Sequence, residues 1–123
     1  MGMRPTILVA EPEPLQALSV RKLVLETSKF NVLTAHSTRE ALEEIETSPA
    51  ISAAVLVAED FLDCEQIIES IRKKIPCLPV VVLSPLDGFK IAGADHIISS
   101  HDPETLIMLM RELLGDPRTL EGG

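Results

Sequence analysis

Polar residues follow the apolar runs of this sequence, and their side chains are the ones equipped for chemistry. Glu11 follows the run TILVA, Glu59 and Asp60 follow AAVLVA, and Ser84 closes PVVVLS. Carboxylates can bind a hard cation or attack a phosphoryl group, and a hydroxyl can bind phosphoryl oxygens. These groups can act together only if the fold brings the ends of the apolar runs to one place.

Five apolar runs divide the chain, and their composition favours buried β-strands. The runs are Thr6–Ala10, Asn31–Ala35, Ala53–Ala58, Pro79–Ser84 and His96–Ser99. Most of them are continuously apolar rather than alternating with polar residues. This pattern is typical of a parallel sheet that helices cover on both faces.

The segments between most of these runs have helical periodicity and helix-capping residues. The predicted helices are Pro14–Ser28, Thr38–Ser48, Cys64–Ile75, and one that opens at Asp102–Pro103 and ends at Gly115. Ser37 and Glu40 form a capping-box pattern, and Asp63 is the expected N-cap of the third helix. Strands and helices therefore alternate, as in parallel sheets with right-handed crossovers.

One crossover is too short for a helix. Between Ser84 and the GAD sequence that starts at Gly93 there are only eight residues, PLDGFKIA. We therefore predict an α/β fold, flavodoxin-like and doubly wound, with a five-stranded parallel sheet in three α/β/α layers and the fourth crossover helix shortened or missing. Phe89 and Ile91 are expected to fill part of the gap. The predicted domain covers residues 6–115, with tails at 1–5 and 116–123.

Composition and charge exclude several functions. The net charge of −8 and the absence of Trp and Tyr disfavour nucleic-acid binding. No apolar run is long enough to span a membrane, and two isolated thiols, Cys64 and Cys77, fit a reducing cytoplasm. His36, His96 and His101 are scattered, and no glycine-rich phosphate loop follows the first strand. An enzyme is therefore not expected.

The ends of four strands carry motifs that resemble the receiver domain of bacterial response regulators, the CheY-like family. They are ILVAEPEP at Ile7–Pro14, AAVLVAED at Ala53–Asp60, LPVVVLS at Leu78–Ser84 and GADHIISSH at Gly93–His101. The resemblance extends from about Thr6 to Leu114. It implies the CheY-like form of the predicted fold and a part in two-component phosphorelay signalling.

The resemblance also implies a phosphorylation pocket, whose positions are degenerate in this chain. The family's acidic pair, which helps to hold Mg²⁺, falls on Glu11 and Pro12, and its phospho-accepting aspartate falls on Ala58. Ser84 retains the hydroxyl that follows the fourth strand, but Ser100 occupies the position of the family's lysine. The chain is therefore predicted to be a pseudo-receiver that is not switched by aspartyl phosphorylation, with no catalytic residue, metal or cofactor.

Four other interpretations of the strand ends stay open. In the first, Glu59 or Asp60 is the phosphate acceptor, with Mg²⁺ as cofactor and Glu11 as a weak candidate ligand. In the second, either residue acts as a fixed negative charge that imitates phosphorylation, and in the third both are solvated loop residues at a helix start. In the fourth, the altered pocket admits a small ligand, which would make the chain a sensor.

The predicted partner surface is the face formed by the fifth strand and the fifth helix. In the family this face meets signalling partners, and here its neighbouring crossover is short. Phe89 and Ile91 lie in that crossover, and Met108 lies opposite the apolar stripe of the last helix. The expected partner is a signalling protein or a second copy of the chain, and neither nucleic acid nor membrane is expected.

Overall fold

The computed structural model describes residues 5–11, 28–47, 50–58, 62–86, 88–100 and 102–115. Its elements are β1 (Thr6–Ala10), β2 (Asn31–Ala35), α1 (Thr38–Thr47), β3 (Ile51–Val57), α2 (Cys64–Lys74), β4 (Val80–Ser84), β5 (His96–Ser99) and α3 (Pro103–Leu114). The helix predicted over Pro14–Ser28 lies outside these residues except for Ser28, which is in a turn.

The five strands form one parallel sheet in the order β2-β1-β3-β4-β5. This is the flavodoxin-like order, and it confirms the predicted fold class. β3 begins at Ile51, two residues before the predicted start, and ends at Val57. Ala58 therefore follows the strand, although its N–H still donates a hydrogen bond of 2.8 Å to the carbonyl of Leu83 on β4.

Aliphatic side chains bury both faces of the sheet. Along β3 the side chains alternate, so that Leu56 packs into one core cluster and Val57 into the other. We call the face toward the first cluster face A, which α1 and α2 cover, and the face toward the second cluster face B, which α3 covers through Leu106 and Met110. The three layers are thus as predicted.

The helix ends follow the predicted capping chemistry, with one difference. Ser37 Oγ accepts from the N–H of Glu40 at 3.1 Å, but the Glu40 carboxylate accepts from the N–H of His36, one residue before the usual position. Asp63 caps α2 and Asp102 caps α3, each through a backbone N–H three residues on. Among the described residues, no helix is long and apolar enough to cross a membrane.

The crossover from β4 to β5 contains no helix in its described residues, 85, 86 and 88–95. Phe89 and Ile91 pack half-buried against the core cluster of face A, which confirms that they fill part of the gap. The filling is incomplete, because Leu86 is 68% exposed and Ile97 on β5 is 37% exposed. The residues that the structure describes therefore leave face A incompletely covered at its β4–β5 end.

The guanidinium of Arg72 links the β4–β5 crossover to α2. Arg72, near the end of α2, donates to the carbonyls of Pro76, Leu78 and Gly93 at 2.9, 2.8 and 2.6 Å, and to the carboxylate of Asp95 at 2.9 Å. The same carboxylate oxygen accepts from the N–H of Val80 at 2.7 Å. One side chain thus joins α2, the start of β4 and the turn that leads into β5.

The turn before β5 also requires a glycine. Gly93 has a φ of +88°, and a Cβ at this position would lie 2.6 Å from Cγ2 of Ile68 on α2. Any side chain there would strain the backbone and displace α2. The close approach holds the Gly93 carbonyl within reach of Arg72.

We expect Arg72→Ala to lower the free energy of unfolding by about 2 kcal/mol, because it removes four hydrogen bonds at once, including the part-buried bond to the Leu78 carbonyl and the charged bond to Asp95. Chemical denaturation with urea measures this change. Arg39→Ala is the matched control, since Arg39 makes an ion pair with Glu43 that is exposed on α1 and worth less than about 0.5 kcal/mol. Equal losses in the two variants would contradict the role given to Arg72.

The contribution of Asp95 should depend on pH. Partial burial opposes its charged form, but the Val80 N–H and the hydrogen bond and charge of Arg72, aided by His96, hold the pKa of Asp95 below its ordinary value of 3.8. A lowered pKa gives stability that is complete above the unfolded-state pKa and is lost as the pH falls through the folded-state pKa. The stability difference between the native chain and Asp95→Asn should therefore shrink in acid. A difference that stays constant from neutral pH down to about pH 3 would contradict this assignment.

Candidate functional site

The predicted site residues that the structure describes lie at one edge of the sheet, at or just beyond the carboxyl ends of the strands. Glu11 follows β1, Ala58 follows β3, Ser84 ends β4, and Ser100 follows β5. The parallel register pairs Ala10 with Leu56, Val57 with Leu83, and Ser84 with Ser99, so the four positions follow one another across the sheet. Ligands of such sheets bind at this edge.

Glu11 is held in a buried position beside β2. Only 2% of the residue is exposed, and its N–H donates to the carbonyl of Ala35 at 2.9 Å. Its own carbonyl accepts from Nδ1 of His36 at 3.3 Å. His36 is therefore a strand-end residue whose ring holds the backbone of Glu11 in place.

Ala58 presents a methyl group where the resemblance places the phosphate acceptor. It packs half-buried against the core cluster of face A and lines a cavity of about 360 Å³ together with Leu62, Cys64 and Phe89. A methyl group can neither attack a phosphoryl group nor bind a cation. Pro12, Glu59, Asp60 and His101 lie outside the described residues.

The hydroxyl of Ser84 is engaged in a local turn. Ser84 is 3% exposed, and its Oγ accepts from the N–H of Leu86 at 3.0 Å and donates to the carbonyl of the same residue at 3.3 Å. These bonds close the end of β4 where a crossover helix would otherwise begin. The N–H of Ser100 donates to the carbonyl of Ser84 at 3.0 Å, so Ser100 extends the ladder between β4 and β5 but supplies no cation.

The described side chains at this edge do not fit a magnesium site. Within the described ranges no group of three His, Cys, Asp or Glu side chains is placed to hold a metal ion. Glu11 is the single carboxylate among the four described positions, and neither Ala58 nor Pro12 has a side-chain oxygen. Mg²⁺ prefers an octahedral set of oxygen ligands, and these positions supply too few of them.

Cys64 is a residue of this edge that the sequence pattern did not indicate. It opens α2, lines the cavity beside Ala58, and its Sγ donates to the carbonyl of Val57 at 3.7 Å. Burial, assisted by the negative charge of Asp63, raises the pKa of the Cys64 thiol from 9.0 to about 11. The thiol is therefore neutral and a poor nucleophile near pH 7.

The three predicted surface residues differ in exposure. Met108 on α3 is 68% exposed, whereas Phe89 and Ile91 are half-buried. Two further apolar residues near them, Leu86 and Ile97, are exposed and were not singled out from the sequence. The sequence could have predicted the exposure of Leu86. An apolar residue two positions after a buried strand has nothing to pack against when no helix follows.

The chain is similar to solved receiver domains over almost its whole length. A response regulator receiver domain protein from Clostridium thermocellum has a TM-score of 0.77 and 25% identity, with 94% of this chain and 98% of that chain covered. A CheY-like receiver domain protein from Methanospirillum hungatei has a TM-score of 0.75 and 19% identity, with coverage of 98% and 100%.

A third structure shows the site of such a domain with its metal. The receiver domain of a sensor histidine kinase from Pseudomonas aeruginosa has a magnesium ion coordinated in its active site cleft, with a TM-score of 0.78 and 18% identity over 92% of this chain and 99% of that one. No protein-family model and no curated protein matches the sequence. The chain therefore has the CheY-like fold of response regulator receiver domains.

The two thiols should react at very different rates. Cys77 is exposed in the turn after α2, whereas Cys64 is buried with a raised pKa. We expect one thiol per native chain to react rapidly with a disulfide reagent at pH 8, and the second to react only slowly or after unfolding. Cys77→Ser should abolish the rapid phase, and a rapid phase that survives in this variant would contradict the buried placement of Cys64.

Proposed function

We propose that this domain is a pseudo-receiver: a protein-interaction module of a two-component signalling pathway that acts without aspartyl phosphorylation. The observation that carries the proposal is Ala58, whose methyl group stands at the carboxyl end of β3, between the ends of β1 and β4. The receiver fold is retained around it. The domain therefore keeps the surfaces of a receiver and lacks the group that would switch them.

The other described site residues support the same proposal. The Ser84 hydroxyl is bound to the backbone of Leu86, so it would have to leave that turn to bind a phosphoryl oxygen. Ser100 brings no positive charge to neutralise a phosphoryl group, and the described residues of this edge supply too few ligands for Mg²⁺. We accordingly propose that the domain is not an enzyme and needs no cofactor.

The proposed partner is another signalling protein, or a second copy of the chain, that binds through β5 and α3. Receiver domains act through such contacts, and this face exposes Met108. Methionine adapts its shape readily to an apolar partner surface. The net charge of −8 favours protein partners over nucleic acid, and we propose that the domain works in the cytoplasm of a bacterium.

Intact-mass spectrometry after incubation with acetyl phosphate and Mg²⁺ tests the proposal. We expect no added phosphoryl mass, because Ala58 cannot form an acyl phosphate. An ordinary receiver domain, treated in parallel, must become labelled for the result to count. A labile phosphoryl adduct that maps to Glu59 or Asp60 would overturn the proposal and make the chain a functional receiver.

A second candidate function is a small-ligand sensor, and the cavity of about 360 Å³ beside Ala58 is the observation that favours it. Its lining combines apolar side chains such as Leu62 and Phe89 with the carboxylates of Asp63 and Glu65. Ligands that bind the native state raise the midpoint of thermal unfolding. A panel of metabolites that produces no such rise at millimolar concentration would remove this candidate.

A further inference from the structure

We propose that the uncovered end of face A binds an amphipathic helix of a partner protein, with basic residues at the end of that helix that lies beside Asp63 and Glu65. The bound helix would occupy the place that a crossover helix between β4 and β5 would otherwise fill. The inference rests on the proposed function of the domain as an interaction module, and it names the kind of partner and a surface distinct from α3.

The first argument is the absence of a cover on face A. Ile97 pairs in the parallel register with Val82, and Val82 packs into the cluster of face A, so Ile97 points to the same side. α1 and α2 cover that side over the rest of the sheet, but at the β4–β5 end the described residues place only the crossover side chains of Phe89, Ile91 and Ala94 against this cluster. Exposed aliphatic side chains next to a core mark a surface that binding would bury.

The second argument is the shape of the surface. A cavity of about 290 Å³ includes Ser84 and Ile97, and the cavity of about 360 Å³ includes Ala58 and Ile91. Leu86 and Phe89 line both, so the two cavities adjoin and form a groove from β5 to the start of α2. We call this the crossover groove. The groove presents apolar side chains beside polar ones, and such a surface on a sheet face suits an amphipathic helix, which inserts side chains at i, i+3, i+4 and i+7.

The third argument is charge. Asp63 and Glu65 line the α2 end of the crossover groove, and both are exposed. Lys90 lies in the crossover but is not among the lining residues of either cavity. A basic helix end of a partner would be attracted to these two carboxylates, whereas the chain charge of −8 makes two copies of the domain repel each other overall. We therefore propose a different protein as the partner, and the experiments below test a second copy as the competing occupant.

A synthetic peptide tests the proposal on the whole chain. The probe is a fluorescent peptide of about 16 residues, made of Leu, Ala and Lys, with leucines at helical i, i+3, i+4, i+7 spacing and lysines concentrated in its last turn. We expect saturable binding by fluorescence anisotropy. Two control peptides should bind at least about tenfold more weakly. The first has the same composition but distributes its leucines around the whole helix, and the second has glutamates in place of the lysines.

Surface variants locate the binding. Leu86→Glu should weaken binding of the probe at least about tenfold, because it places a carboxylate in the crossover groove. Met108→Glu is the matched control, since Met108 is equally exposed at 68% but lies on α3, and binding should be unchanged. Glu65→Lys should weaken binding, whereas the same reversal at Glu112, on the exposed side of α3, should not. Circular dichroism establishes that each variant is folded.

The possible outcomes separate the proposals. No binding of the probe, or equal effects of Leu86→Glu and Met108→Glu, would overturn the crossover-groove inference but leave the pseudo-receiver proposal intact. A concentration-dependent dimer that Leu86→Glu abolishes would show that a second copy of the chain occupies the groove. A small metabolite that competes with the probe would show that a ligand occupies it. Either result would overturn the proposal that a partner helix binds there. Phosphoryl labelling in the earlier experiment would overturn the proposed function whether or not the peptide binds.

Discussion

The position of β5 depends on the Arg72 guanidinium and its bonds to three carbonyls and to Asp95. In a doubly wound sheet a crossover helix normally packs each strand against the layer above it. Here the β4–β5 crossover has no described helix, and the ladder of β5 with β4 would have little support from face A. The hydrogen bonds of Arg72 on α2 supply that support, and Gly93 permits the close approach that these bonds require.

This arrangement has consequences at the carboxyl edge. Without a helix after β4, Ser84 and Leu86 close the strand with a local turn, and the turn occupies the hydroxyl that a phosphoryl group would need. The same shortening exposes Leu86 and opens cavities on both sides of Phe89. The engaged hydroxyl of Ser84 and the exposed apolar surface therefore share one physical cause, the short segment between β4 and β5. Both are consistent with the proposed interaction module, whose binding surface would be permanent rather than switched.

Much of the fold could be predicted from the sequence, because its determinants are local. Continuous aliphatic runs and the capping residues Ser37, Asp63 and Asp102 placed the strands and helices to within two residues among the described elements. The count of eight residues after Ser84 was enough to predict that the fourth crossover helix is shortened or missing. The sequence did not fix the residue at which β3 ends, because the alternation of side chains along a strand does not mark its last residue. The pairing with β4 shows that Ala58 is the first residue beyond β3.

The sequence by itself determined the layer order, the acidic surface and the absence of a carboxylate at position 58, because each follows from residue type and spacing along the chain. Only the tertiary structure decided which contacts the side chains near the carboxyl edge of the sheet make. Three features depend on contacts or burial that only the folded chain sets. They are the hydrogen bonds of Ser84 to Leu86, the hydrogen bonds of Arg72, and the raised pKa of Cys64. The crossover groove is of the same kind, since it is bounded by residues from β3, α2, the crossover and β5, which meet only when the sheet has formed.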